Sequence, residues 1–252
     1  MPKEIPCIAI DAMGGDHGPQ IVIPGALTAA RSKGLSLILV GDEKILSQEL
    51  KQHKTSGLDI EIVHAPEVAG MSEKPSEVLR KKKDTSIGVA FRLVREGRAQ
   101  GVVSAGNSGA TLACGMFILG RIKGIERPAL ASILPSEKGP TILIDVGANV
   151  DCKPYHLVQF GLMADVLARD VLHIKEPRVG ILTIGEEEGK GNKLVKEAVE
   201  LFRMSSLNFT GNIEGRDVFT GKADIIVCDG FVGNVALKLM EGLATSLTKL
   251  LK

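Results

Sequence analysis

Tryptophan is absent from the 252-residue chain, tyrosine occurs once, and aromatic residues make up only 3% of it. Proteins that stack single-stranded bases do so on aromatic side chains, so that class of nucleic-acid binder is excluded. Charge of one sign is also missing. With 31 basic and 30 acidic residues the formal net charge is +1, and no overall field draws the chain to duplex nucleic acid or anionic lipid. No apolar run approaches the ~18 residues of a membrane span. The N-terminal "MPKEIPCIAI" lacks the basic-then-apolar order of a signal peptide. A cytoplasmic protein is expected, resting at most on a membrane surface. Cysteine is sparse: Cys7, Cys114, Cys152 and Cys228 include no C-x-x-C pair. Buried reduced thiols are therefore expected rather than a disulfide or zinc framework. Neither G-x-G-x-x-G nor H-E-x-x-H occurs, so the motifs point to no cofactor and no metal.

What the chain does have is a rhythm. A short apolar run, then a small or acidic residue with glycine, then a helical pattern recurs along its length. "CIAIDAMGGD" leads into a helix over 21–33, "LSLILVGDE" into 43–53 and "GVVSAGNSGA" into 111–119. "TILIDVGANVD" leads into 155–172, "VGILTIGEEEGKGN" into 193–204 and "DIIVCDGFVGN" into 235–251. The strands are rich in Ile, Val and Leu with little alternation, as expected when helices cover both faces. Repeated βα units predict a three-layer α/β/α architecture with a largely parallel, right-handed sheet. The proline- and glycine-rich stretch 120–140 breaks the rhythm and reads as a loop or arm carrying a short strand over 129–134. No linker or repeat is visible, so the expectation is a single α/β domain over 1–252, with room for two lobes around a cleft.

In open α/β sheets ligands sit beyond the carboxyl ends of the strands. Five of these turns are rich in Gly, Asn, Asp and Ser, residues that let backbone approach a ligand and leave helix N-termini free for an anion. In "DAMGGDHGP", Gly14 and Gly15 would form a wall of an anion-sized cavity, with His17 and Asp16 the first candidates for proton transfer. "SAGNSGA" offers Ser104, Asn107 and Ser108, and "DVGANVD" and "DGFVGN" add Asn149 and Asn234. "GEEEGKGN" is not a nucleotide phosphate loop. Three residues, not four, separate Gly185 from Gly189–Lys190, and Gly191 stands where Ser or Thr would bind magnesium. Lys190 could still reach an anion, with Asn192 beside it. Each of these residues could equally be an ordinary helix cap. The run Arg80, Lys81, Lys82, Lys83 is a basic patch suited to an acidic partner, followed by Asp84–Thr85–Ser86 as a helix cap. In the last helix Val235, Leu239, Leu243, Leu247 and Leu250 share one face, which predicts packing on the sheet.

Taken in order, "IAIDAMGGDHGP", "SAGNSGA", "RIKGIERPALA", "DVGANVDCKPYHLVQF", "GEEEGKGN" and "DGFVGNVALK" resemble the PlsX phosphate acyltransferase family of bacterial phospholipid synthesis. The resemblance runs from about Ile8 to the C-terminus. It implies a fold similar to the isopropylmalate and isocitrate dehydrogenases and to phosphotransacetylase. It further implies a homodimer with peripheral membrane contact that acts without a cofactor. The implied reaction takes an acyl carrier protein thioester and inorganic phosphate to acyl phosphate, which feeds glycerol-3-phosphate acylation. Family chains continue past the helix that here closes at Lys252, through an amphipathic, membrane-touching segment. On this resemblance His17, Asn107, Ser108, Asn149, Lys190 and Asn234 are carried over as site residues, and the basic run gains acyl carrier protein as its partner. Two other readings remain open: a metal- and NAD-dependent decarboxylating dehydrogenase using Asp145, Asp151 and Asp229, and a non-enzymatic phosphate- or acyl-binding scaffold.

Overall fold

The computed structural model describes residues 5–252; the first four residues, part of the N-terminal stretch read above, lie outside it. The chain divides into two compact units, Met1–Ile122 and Lys123–Lys252. Each has its own sheet, so the strands expected to share one sheet are sorted into two. The division falls at the start of the irregular stretch 120–140.

In the first unit β1 (Cys7–Asp11), β2 (Ser36–Gly41), β3 (Ile60–His64) and β4 (Gly101–Ser104) form a four-stranded sheet in the order β3-β2-β1-β4. Every pairing is parallel. Residues alternate between two covered faces. Ile10 and Leu39 pack with Ile23 and Leu27 of α1 (Pro19–Lys33) and with Leu46 of α2 (Glu43–Leu50). Ala9 and Ile38 face the other way, onto Val89, Ala90 and Leu93 of α4 (Ser86–Arg95). This is the expected α/β/α sandwich. Two short helices complete the unit, α3 (Pro75–Lys81) and α5 (Ser108–Cys114), and the chain after α5 widens into a π turn over Gly115–Leu119. Thr85 caps α4 as expected, its hydroxyl accepting from the Gly88 N–H at 3.2 Å.

The second unit holds a five-stranded sheet in the order β5-β6-β9-β7-β8. Its strands are β5 (Ala131–Ser136), β6 (Gly139–Ile144), β7 (Arg178–Thr183), β8 (Asn208–Glu214) and β9 (Ile225–Val227). The short strand expected in the 120–140 arm is β5, shifted by two residues and paired antiparallel with β6 as a hairpin. Pro135 is tolerated because β5 is an edge strand, where a missing N–H breaks no second ladder. All other pairings are parallel. Leu157, Phe160 and Ala164 of α6 (Pro154–Asp170) and Phe202 of α7 (Lys193–Arg203) cover Ile142, Ile181 and Ile225. Gly161 permits this approach, since a Cβ there would lie 2.9 Å from the Phe202 ring. Arg178 clamps the lower edge: Nε and a terminal nitrogen donate to the two Asp224 oxygens at 3.0 and 2.9 Å.

The last helix, α8 (Gly230–Leu250), departs from expectation. Its first turn docks through buried Gly230 and Gly233, and Leu237 and Met240 meet the core around Leu143 and Ile226. The stripe Val235, Leu239, Leu243, Leu247 and Leu250 stays exposed instead of packing on the sheet. The helix phase is set by the glycines, which admit no side chain at the contact. No helix among the described residues is long and apolar enough to cross a membrane.

Candidate functional site

Each unit gathers its strand ends, and the turns that follow them, along one sheet edge. In the first unit the joint is Asp11, at the end of β1 and 3% exposed. Its Oδ2 accepts from the Ser104 hydroxyl at the end of β4, 2.7 Å away, and Ser104 Oγ in turn accepts from the Gly106 N–H at 3.0 Å. Asp11 Oδ1 is buried without a partner among the described residues. Gly14 and Gly15 serve this joint. A Cβ on Gly14 would lie 2.5 Å from Asp11 Oδ2; Gly15 has φ +87° and would press within 2.9 Å of the Ala105 carbonyl. The two glycine-rich turns therefore lie against each other. Asp16 and His17 follow on the exposed rim, with no side-chain hydrogen bond to the described residues.

Asn107 is more heavily engaged than a cap requires. Its Oδ1 accepts from Ala110 N–H at 3.1 Å, capping α5, while Nδ2 donates to the carbonyls of Gly70, Met71 and Glu73 at 2.9–3.1 Å. It ties the 70–73 loop to the strand-end turn, and leaves Ser108 exposed beside it. The basic run is similarly divided. The Lys82 ammonium is held by the Val68 carbonyl and Glu73 at 2.8 and 2.7 Å. The Lys82 hydrogen bond, with that of the Gly70 N–H, keeps the Glu73 carboxyl below its usual range. Arg80, Lys81 and Lys83 are the exposed cations, Lys81 in a 3.3 Å helical pair with Glu77.

The second unit is organised around Asp145, fully buried after β6. Oδ1 accepts from the N–H groups of Leu130, Gly147 and Ala148 at 3.0–3.2 Å. Oδ2 accepts the Asn149 N–H and its side-chain amide, both at 2.8 Å. With all its oxygens used, Asp145 is unavailable as a metal ligand, and Asp229 caps α8 by accepting from Val232 N–H at 3.0 Å. Asp151 is exposed, and no group of three or more His, Cys, Asp or Glu that could hold a metal ion forms among the described residues. Asn149 also donates to the Pro128 carbonyl at 2.8 Å, anchoring the arm. Asn234 is exposed, its side chain 3.5 Å from where a Cβ on Gly147 would stand. Asn192 caps α7 by accepting from Val195 N–H at 2.9 Å. Lys190 is exposed on the wall of a groove of about 610 Å³ that also carries Lys196, Arg203, Lys222, Glu186 and Glu188. Arg203 pairs with Glu188 and Lys222 with Glu186, whereas no ion pair to Lys190 forms among the described residues.

His156 stands in the first turn of α6. It is buried, and its Nδ1 accepts from the Lys153 N–H at 3.0 Å, which assigns the proton to Nε2, 3.2 Å from Glu126. The Tyr155 hydroxyl donates to the same Glu126 oxygen. These hydrogen bonds, Tyr155 first and His156 second, hold the Glu126 carboxyl below its usual range. The signal in the sequence was the run "KPYH" at a helix start, uninterpretable without Glu126 opposite. His17, Asp16, Gly14, Gly15, Ser104, Asn107 and Ser108 belong to the first unit; Asn149, Lys190, Asn192 and Asn234 belong to the second.

No cysteine is poised as a nucleophile. Burial pushes all four thiols up, Cys114 and Cys152 to about 11 and Cys228 furthest.

Both sheets and their glycine-rich strand ends define an α/β fold that is shared with phosphotransacetylases. A phosphotransacetylase from Streptococcus pyogenes superposes with a TM-score of 0.72, covering 96% of this chain and 83% of that one at 18% identity. A 4-hydroxythreonine-4-phosphate dehydrogenase from Burkholderia phymatum shares the fold at a TM-score of 0.54 and 16% identity. A family model described as "Fatty acid synthesis protein" matches residues 7–252. The chain is 63% identical over 246 residues to a phosphate acyltransferase of Nitratidesulfovibrio vulgaris, covering 97% of this chain and 71% of that protein. It is 55% identical over 245 residues to one from Pelobacter propionicus. The chain belongs to the phosphate acyltransferase family of fatty acid and phospholipid synthesis.

Proposed function

We propose that the chain transfers a fatty acyl group from an acyl carrier protein thioester to inorganic phosphate, releasing the carrier thiol and acyl phosphate. Family membership over residues 7–252 carries this reading. The thiols bear on the route. Burial raises every thiol, which favours direct attack of a phosphate oxygen on the thioester carbonyl over a route through an acyl-cysteine. The carrier thiolate is already a reasonable leaving group. Catalysis then rests on holding two reactants in line and stabilising the tetrahedral oxyanion.

In this proposal Gly14, Gly15, Ser104, Asn107, Ser108, Asn149, Asn192 and Asn234 shape the turns that receive phosphate and substrate. Lys190 offsets charge, and His17 with Asp16 handles the proton. Arg80, Lys81 and Lys83 attract the acidic carrier protein, Lys82 shaping the patch from within. A homodimer and peripheral membrane contact belong to the same proposal, tested by light scattering and by flotation with anionic vesicles.

The deciding assay is thiol release from a long-chain acyl carrier protein thioester with and without inorganic phosphate. Phosphate-dependent release, with hydroxylamine trapping the acyl phosphate, is the expected result. Release that ignores phosphate, or none from folded protein, overturns the reading.

A further inference from the structure

The carboxyl ends of β7 and β9 border a second, half-open cavity of about 420 Å³. Leu157 from α6, Leu182 and Ile184 from the end of β7, Val195 from α7 and Val232 from α8 make most of its wall. The remaining polar groups are few: Thr183, the two helix caps Asn192 and Asp229, and the Cys228 thiol. No lysine, arginine or histidine lines it. This contrasts with the 610 Å³ groove, which is walled by Lys190, Lys196, Arg203 and Lys222. A phosphate entering the smaller cavity would lose its hydration without meeting a cation, whereas an alkyl chain would lose only unfavourable contact with water. Volume and lining are those of a small-molecule site with an apolar body and a few orienting polar groups.

We infer that this cavity holds the hydrocarbon chain of the acyl donor. The inference rests on the acyltransferase reading and adds where the chain lies and what limits its length. Val232 is partly exposed at the first turn of α8, and Ile184 is 83% exposed on the rim, so both accept substitution without disturbing the core.

The test compares kcat/KM for hexadecanoyl, octanoyl and butanoyl thioesters in the wild type, Val232→Trp and Ile184→Asp, with melting temperatures as a check on folding. A buried methylene contributes about fourfold in affinity. Blocking a few methylenes should therefore cut the hexadecanoyl value by more than tenfold while the butanoyl value changes by less than about twofold. Loss that is equal at all three lengths, or no loss in either variant, overturns the inference. A second arm does not need turnover: dodecyl phosphate binding by calorimetry should weaken at least tenfold in Val232→Trp, and unchanged binding overturns the inference. If the wild type binds dodecyl phosphate in this way but shows no phosphate-dependent transfer, the acyltransferase reading has failed and the alkyl site stands.

Discussion

The Asn149 side-chain amide donates to Asp145 Oδ2 at 2.8 Å, on the same oxygen that accepts Asn149's own N–H. One side chain thereby closes the strand-end loop of the second unit, and through its 2.8 Å bond to the Pro128 carbonyl it also holds the arm. Replacing Asn149 with Ala removes both side-chain hydrogen bonds, to the Pro128 carbonyl and to the Asp145 carboxylate, while Asp145 Oδ2 keeps the backbone N–H. The expected cost is about 1–3 kcal/mol in urea denaturation. A variant as stable as wild type would show that water replaces the amide.

Gly233 and Gly242 lie on the same helix and should respond oppositely to alanine. A Cβ at Gly233 collides with the Asp145 carbonyl oxygen, while nothing stands within 4 Å of one at Gly242. Gly233→Ala should destabilise by about 1–3 kcal/mol or more. Gly242→Ala should stabilise by roughly 0.5–1 kcal/mol through helix propensity. Thermal melts of the two variants side by side give the comparison.

Asp224 predicts a pH dependence. Burial works to raise its carboxyl, but the hydrogen bonds and charge of Arg178 outweigh burial and hold it below the usual range. A carboxyl depressed in the folded state stabilises the protein above its unfolded pKa of about 3.9, and that contribution fades as pH falls through the folded value. Asp224→Asn should therefore cost roughly 1–3 kcal/mol at pH 7 and progressively less below about pH 4. A stability difference that persists unchanged into acid would remove the ion pair from the account.

The thiols give a prediction about route. At pH 8 a group with a pKa of about 11, as at Cys152, is ionised in about one molecule per thousand. Cys114→Ser and Cys152→Ser should retain phosphate-dependent turnover within about twofold, and intact-protein mass spectrometry with thioester alone should show no acyl adduct. An adduct lost in one of these variants would establish a covalent intermediate.

Carrier docking and proton transfer can be separated. Reversing charge at Arg80, Lys81 and Lys83, all exposed, should raise KM for the carrier thioester about tenfold at low salt and spare an acyl-coenzyme A analogue. Equal effects on both donors would end the docking assignment. His17→Ala should instead lower kcat, with the melting temperature nearly unchanged because the side chain is exposed and free of hydrogen bonds among the described residues.

The βα rhythm, the strand-end turns and the caps at Thr85, Asn107 and Asn192 were legible because each is a local pattern: side-chain period, or an oxygen reaching an N–H three residues on. Family membership was legible for the same reason, in short motifs kept in order. The sequence by itself therefore determined the α/β class, the turns where ligands gather and the reaction to test. Tertiary structure alone decided how those pieces are joined. Ser104 reaches Asp11 across 93 residues, and Asn107 reaches the 70–73 loop from more than 30 residues away. Lys82 turns inward to Glu73, His156 finds Glu126, and the strands separate into two sheets. The apolar stripe of α8 looks like a core face until Gly230 and Gly233 set the helix's phase against the Asp145 loop. Local spacing records which residues share a face; which face is buried depends on contacts the spacing does not contain.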